Sequence, residues 1–406
     1  MSYRERNTCR ACGSKKLESI LDLNDQPLAN SYHEPGVILE EYPLKLNLCI
    51  NCFHSQLSVV VDPDKMFEHY LYVSGTTETL RKYFNEFYHL VLINVESVGD
   101  KRVLDIACND GSQLEVFRDK GWDTYGIDPA KNLFELSKNK GFTNVICDYF
   151  NENSARCLNE KMDVIIAQNV FAHTDDIHDF LRCCLLLSHE ETKIFIQTSQ
   201  AEMFVNNEFD TIYHEHLSFF CANSMNECVK MCGLNLEKVL KTDIHGTSYV
   251  FMISTKPKAS GNVEKVLQNE KLEGKKSIDF YMKFARNAKQ IVRDLRECVK
   301  NYKNQGYTIV GYGAAAKGMT ILNFGKIELD FIVDDNPLKQ DLMTPGMNIP
   351  IMSPRYLRVD DKLCIIPLAW NFFDEILQRV IKERQNPRDL IVKYFPKLEV
   401  NGLNGH

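Results

Sequence analysis

Hydrophobic and polar positions alternate with two different periods along this chain, and the switches between them mark its elements. Over residues 79–95 apolar side chains recur at helical spacing, which predicts an amphipathic helix. Short apolar runs bounded by turn residues follow. Residues 101–107 read as a buried strand, 112–120 as a helix, and 123–127, 144–147 and 162–167 as further strands. After Pro257, charges of both signs interleave to about residue 305 without another Pro, which predicts a connector helix. A strand over 307–312 then runs into a Gly-rich turn and a helix. The βα alternation occurs twice, which makes this an α/β protein with two Rossmann-like regions.

Composition narrows this reading. The 44% hydrophobic and 25% charged fractions belong to a globular chain, and 406 residues suit two or three domains. No apolar stretch is long enough to span a bilayer, and residues 1–9 lack the apolar core of a signal peptide. A cytoplasmic protein with no membrane partner is expected. A net charge of −7 argues against general nucleic-acid binding. Of 14 cysteines, ten are scattered and four are paired as Cys9-Arg-Ala-Cys12 and Cys49-Ile-Asn-Cys52. Two residues between cysteines let both thiolates of one turn face a single tetrahedral cation, and the second turn completes the shell. A disulfide pair or a redox motif fits less well with an intracellular chain carrying two such pairs. Four Cys ligands close the site, so the expected Zn2+ is structural and stands in for a core that a short loop-rich module could hardly build.

The central region has the marks of a cofactor binder. Asp105 lies in its first strand, and Ala107, Cys108, Asn109, Asp110 and Gly111 form the turn. Asp128 and Asp148 end the next two strands, and Asn169 follows the fourth. A carboxylate at the tip of the second strand can accept from both hydroxyls of a ribose. Acids at successive strand ends are the arrangement of S-adenosylmethionine enzymes, although the usual Gly-rich turn is thinned here. Asp105, Ala107, Asn109, Gly111, Asp128, Asp148 and Asn169 are the expected cofactor residues.

The densest chemistry is Tyr213-His214-Glu215-His216-Leu217-Ser218-Phe219-Phe220. Histidines two apart do not share a helix face, so this is no zincin motif. In an extended strand Tyr213 and Glu215 would point one way, His214 and His216 the other. Four stretches now give a specific resemblance: the two Cys pairs, IACNDGSQL with GIDPA, NVFAH with YHEHLSFF, and GYGAAAKG with VDDNP and LAWNF. The chain resembles the nucleotide-sugar C-methyltransferase family along nearly its whole length. The resemblance implies a zinc-binding domain over 1–75, a methyltransferase domain over 76–256 and a C-terminal domain framing the substrate over 257–406. It implies methylation of a nucleotide-diphosphate keto sugar, at C-3 of a 4-keto-6-deoxyhexose. His216 would be the base, Tyr213 and Glu215 would hold or tune the sugar, and Tyr72 and His173 would complete the enolate pocket. His214 is expected to be structural.

In the C-terminal region Gly313 and Lys317 resemble a phosphate cradle, and Asp334 stands about where a ribose-binding acid would. No Ser or Thr follows Lys317, so the turn is not a P-loop. The resemblance assigns Gly313, Lys317, Asn336 and Asn371 to substrate rather than to a nicotinamide cofactor. Where the family shows an Arg after its His-Gly-Gly-Ser stretch, this chain has Val250. A monomer is expected. The alternatives are O- or N-methylation of a small metabolite, which gives no reason for the 213–216 cluster, and a zinc-ribbon binding protein on a degenerate methyltransferase fold.

Overall fold

The computed structural model describes every residue except 1, 68–72, 77, 96–98, 258–260, 385 and 404–406. The chain divides into two compact units that interleave in sequence. The first comprises Met1–Glu18, Asn47–Ala201 and Leu217–Ser277, and the second Ser19–Leu46, Glu202–His216 and Ile278–His406.

The first unit is built on a seven-stranded sheet. Its spatial order is Asn235–Thr242, Ser248–Ser254, Ser188–Thr198, Met162–Gln168, Arg102–Ile106, Asp123–Ile127 and Val145–Ile146. The last five are parallel, and Ser248–Ser254 runs antiparallel to both of its neighbours. Period-two alternation feeds two cores, one on each face. Ile165, Ala167, Ile194 and Ile196 enter one, while Val164, Ile166 and Phe195 enter the other. Helix Glu78–Asn94 covers the second face through Leu80, Tyr83, Phe84, Phe87, Tyr88 and Val91, as its apolar spacing predicts. The expected strands are present, with the third shortened to Val145–Ile146.

The second unit carries a six-stranded sheet ordered Ile351–Met352, Phe331–Val333, Thr308–Tyr312, Leu363–Pro367, Leu390–Lys393 and Glu399–Gly402. All its pairs are parallel except the last. The single connector helix expected after Pro257 is two helices, Gly261–Leu272 and Ile278–Asn304. Gly274 causes the break: it takes φ +83°, and its N–H caps the Lys271 carbonyl. The longer helix buries Tyr281, Phe284, Ala288, Ile291, Val292 and Leu295 along one stripe.

Candidate active site

The metal module comes first in the chain. In each Cys pair the residue after the second cysteine is left-handed, Gly13 at φ +68° and Phe53 at +59°, and its N–H donates to the carbonyl of the first cysteine. Two matched knuckles result. Cys9 and Cys52 Sγ are 3.6 Å apart, as are those of Cys12 and Cys49, and all four sulfurs lie within 4.8 Å of one another. A tetrahedral zinc at the usual Zn–S distance requires sulfurs about 3.8 Å apart. The thiols therefore fit the ion, and no position is left open for chemistry. Arg10, on the first knuckle, is fully buried and donates from Nε to Asp175 Oδ1 at 2.9 Å and from Nη1 to the Leu57 carbonyl at 2.9 Å.

The turn after Arg102–Ile106 compensates for its missing glycines by strain. Ala107 and Asn109 hold φ +61° and +53°, beside Gly111 at +76°. Asn accepts this region readily, whereas Ala does so at a cost of about 1 kcal/mol. Asp128, at the next strand end, fixes the loop: Oδ2 accepts from Asn109 N–H and Oδ1 from Ala130 N–H, both at 2.9 Å. Each oxygen keeps a lone pair for a ribose hydroxyl. Asp105 and Asp110 stand beside the same turn. Burial drives the Asp105 carboxyl well up, reinforced by Asp128 and Asp110. The Lys140 ammonium, 2.9 Å from Asp110, counters one of these charges. Carboxyl oxygens gathered at this turn suit the hydroxyls and ammonium of S-adenosylmethionine. Asp148, by contrast, is exposed, with its carboxylate on the Tyr149 N–H. Asn169 follows strand Met162–Gln168 at φ +58°, and its Oδ1 is buried without a hydrogen-bond partner among the described residues.

His173 ends a short 3-10 turn, Phe171–His173, beyond the same strand and stacks on Phe67 with centroids 5.8 Å apart. Burial lowers its pKa to about 4, so it is neutral near pH 7 and able to donate a hydrogen bond without charge. Tyr72 lies outside the described residues.

The second unit holds Tyr213, Glu215 and His216. This segment is a turn, not an extended strand: His216 N–H donates to the Tyr213 carbonyl at 2.9 Å. The alternation expected of a strand is therefore lost, and Tyr213 and His216 face each other with ring centroids 4.2 Å apart. His216 Nδ1 lies 2.6 Å from the Thr211 carbonyl. A carbonyl only accepts, so Nδ1 carries the proton and Nε2 presents a lone pair. Tyr213 Oη donates to that Nε2 at 3.1 Å. Thr320 Oγ1 anchors the segment through the Ile212 carbonyl at 3.2 Å. His214 is buried, reaches the Tyr42 carbonyl through Nε2 at 3.3 Å, and has its pKa lowered to about 4 by burial.

Residues that the sequence pattern did not single out complete this neighbourhood. Asn30 Nδ2 donates to Glu215 Oε1 at 2.5 Å. Asp210 is fully buried, accepts Trp370 Nε1–H at 2.7 Å, and has its carboxyl pushed up to about 7 by burial. Lys317 Nζ sits 4.4 Å from the Trp370 ring centroid. Gly313 takes φ +87°, and a Cβ there would stand 3.0 Å from that of Ala369. Asp334 braces this turn by accepting Ala314 N–H at 2.6 Å and Asn336 N–H at 2.7 Å. The Ala314 carbonyl accepts from Tyr32 Oη at 2.6 Å and Lys339 Nζ at 2.7 Å. Asn336 caps the next turn through Leu338 N–H, and Asn371 lies half-buried in the 3-10 turn Trp370–Phe372. Asp105, Ala107, Asn109, Gly111 and Asp128 thus gather around one turn of the first unit. Gly313, Lys317 and Asn336 line another in the second. Among the described residues no helix is long and apolar enough to cross a membrane.

Comparison with known proteins agrees with this layout. A putative zinc-binding domain model matches residues 9–67, a methyltransferase domain 78–239, and a C-methyltransferase C-terminal domain 243–394. The C-methyltransferase NovU of Streptomyces niveus is 28% identical over 400 residues, covering 95% of this chain and 94% of that protein. A ubiquinone biosynthesis O-methyltransferase of Rhodopseudomonas palustris (strain BisA53) is 30% identical over 97 residues, 23% of this chain and 38% of that one. A solved S-adenosylmethionine-dependent methyltransferase from Clostridium acetobutylicum overlaps 44% of this chain and 92% of its own, at 14% identity and a TM-score of 0.35. Matched in domain order from residue 9 to 394, and along almost its full length by a C-methyltransferase, this chain belongs to the S-adenosylmethionine-dependent C-methyltransferase family with an N-terminal zinc-binding domain.

Proposed function

We propose that the protein methylates a carbon next to the ketone of a nucleotide-diphosphate keto-deoxysugar, at C-3 of a 4-keto-6-deoxyhexose. The observation that carries this is the His216 tautomer. Its Nδ1–H is held by the Thr211 carbonyl, so the unprotonated Nε2, which accepts from Tyr213 Oη, is preorganised as a base. O- or N-methylation would not need a base set up to remove a proton from carbon.

In this reading His216 Nε2 removes the proton alpha to the ketone. Tyr213 Oη, now bonded to Nε2, shifts its hydrogen bond to the developing enolate oxygen. Neutral His173 serves as a second donor, with Tyr72 assigned to the same pocket. Glu215, held by Asn30, fixes the sugar through its second oxygen. When bound, S-adenosylmethionine supplies an electrophilic methyl: the new C–C bond forms as the S–C bond breaks, and the His216 proton then passes to solvent. Asp105, Ala107, Asn109, Gly111, Asp128, Asp148 and Asn169 hold the cofactor. Gly313, Lys317, Asn336 and Asn371 hold the sugar nucleotide. The working division is 1–75 for zinc, 76–256 for methyl transfer and 257–406 for substrate.

The test is incubation with dTDP- and GDP-linked 4-keto-6-deoxyhexoses in heavy water, without methyl donor. Deuterium entering one ring carbon, at least 100-fold slower in His216→Gln, is the expected result. Methyl transfer with no such exchange in any sugar would place the methyl on oxygen or nitrogen instead.

A further inference from the structure

Two neighbouring polar atoms in the first unit are buried and unpaired: one belongs to Gln197, which has no use in the scheme above, and the other to Asn169, which that scheme places at the cofactor. Gln197 is 1% exposed and lies in strand Ser188–Thr198. Its Oε1 is engaged, accepting from Tyr83 Oη on helix Glu78–Asn94 and from Gln168 Nε2 at 3.5 Å. Its Nε2 has no partner among the described residues, and neither has Asn169 Oδ1. The two residues are adjacent across the sheet: Gln197 pairs with Gln168, and Asn169 N–H donates to the Gln197 carbonyl at 3.0 Å. Burying an amide group unpaired is costly, so one unpaired donor beside one unpaired acceptor calls for a group that serves both.

We propose that Gln197 Nε2 and Asn169 Oδ1 form a neutral subsite that binds one hydroxyl of the methyl acceptor. A hydroxyl accepts from the first and donates to the second. Position assigns it to the acceptor, with Asn169 standing between the cofactor turn and Gln197. The cofactor turn follows strand Arg102–Ile106, and Asp128 lies one strand to its far side. Gln197 lies two strands away on the opposite side, roughly 10 Å from the turn at the usual strand spacing. Ligands of parallel sheets bind outside the carboxyl ends of the strands, and both residues sit at such ends.

The neighbours of Gln197, namely Tyr83, Gln168 and Val250, bring no ionic group to it. Val250 pairs directly opposite Gln197 in the antiparallel ladder and is fully buried. Cross-strand partners share a face, so a cation at 250 would reach the position-197 side chain. With Val there, the amide has an apolar neighbour. This subsite therefore reads an uncharged hydroxyl, and a Gln–Asn pair rejects an analogue lacking it.

This inference rests on the acceptor being the keto sugar proposed above, and the test separates the two. Wild type, Gln197→Glu and Gln197→Met are titrated with S-adenosylhomocysteine. They are then titrated with dTDP-4-keto-6-deoxyglucose and its monodeoxy analogues. Gln197→Glu keeps the oxygen that Tyr83 and Gln168 need and replaces the donor with a second carboxyl oxygen, while Gln197→Met removes both polar atoms without adding charge. Both variants are expected to bind S-adenosylhomocysteine like wild type and the full sugar about tenfold more weakly. For one monodeoxy sugar the loss disappears. Sugar binding and heavy-water exchange that neither variant alters would overturn this subsite alone. Weaker S-adenosylhomocysteine binding in Gln197→Glu would reassign it to the cofactor. No sugar binding by wild type would overturn both readings.

Discussion

The turn at residues 107–111 and the turn at 313–318 are the same backbone device built twice. Each follows the central strand of a parallel sheet. Each opens with an N–H donated to the carbonyl of the neighbouring strand's last residue, Ala107 to Ile127 and Gly313 to Val333, both at 2.8 Å. In each, an Asp just beyond that strand clamps the turn through one oxygen and its own following N–H through the other. The side chains separate them. Asp105, Asp110 and Asp128 line the first turn with carboxyl groups, which suits the hydroxyls and ammonium of a methyl donor. The second turn carries Lys339 and Tyr32 on its Ala314 carbonyl and Lys317 on the following helix, which suits an anionic nucleotide. In the proposed reading the backbone makes the cradle, and the groups around it choose the ligand.

The sharpest way to break this pairing is to remove a clamp. Asp334→Ala orphans two turn N–H groups and is expected to destabilise the second unit by about 3 kcal/mol. Chemical denaturation reads this loss, and a change below about 1 kcal/mol would show that the clamp is incidental.

Next in size is a pH effect confined to the second unit. Burial, reinforced by Glu208, pushes the Asp210 carboxyl up to about 7, only partly offset by Lys317 and the Trp370 N–H. The buried Tyr394 hydroxyl is its other titratable neighbour. The folded chain holds this proton more tightly than the unfolded one. Stability is therefore lost as pH rises from about 4 to 7 and flat above. Asp210→Asn should remove a loss worth about 2 kcal/mol between pH 5 and 7. Melting temperatures of wild type and variant at pH 5, 6, 7 and 8 should converge at the acid end, and parallel curves would refute the assignment.

The smallest effects come from left-handed positions. Gly313→Ala meets both a positive φ and Ala369, for a loss of about 1–2 kcal/mol. Ala107→Gly relieves the first turn and should gain about 0.5 kcal/mol. Equal signs for the two substitutions, measured by urea unfolding, would mean that the turns are not strained in the way their φ angles indicate.

Both turns and the metal knuckles were legible in the sequence because their signals are local: an apolar run, a turn, a fixed Cys spacing. The candidate catalytic segment was only half legible. Its residue types stood out, but the Tyr213–His216 pairing follows from a turn that no alternation pattern encodes. Asn30 was invisible for another reason. It reaches Glu215 across 185 residues of chain, from a loop without periodicity. The grouping of Ser19–Leu46 with the C-terminal half is equally non-local. Gln197 read as one more strand residue, since an unmatched amide shows only when its neighbours are known. The break at 273–277 turned on Gly274, a residue whose cost within a helix is small enough to be overlooked.

The central claim, that one of two like turns holds the methyl donor, is tested most directly by calorimetric titration with S-adenosylhomocysteine. Wild type should bind one molecule per chain. Asp128→Ala should weaken binding at least 100-fold, about 3 kcal/mol for two charge-assisted hydrogen bonds. Asp334→Ala should leave the affinity unchanged. Two molecules per chain, or a loss in Asp334→Ala as large as in Asp128→Ala, would contradict the account.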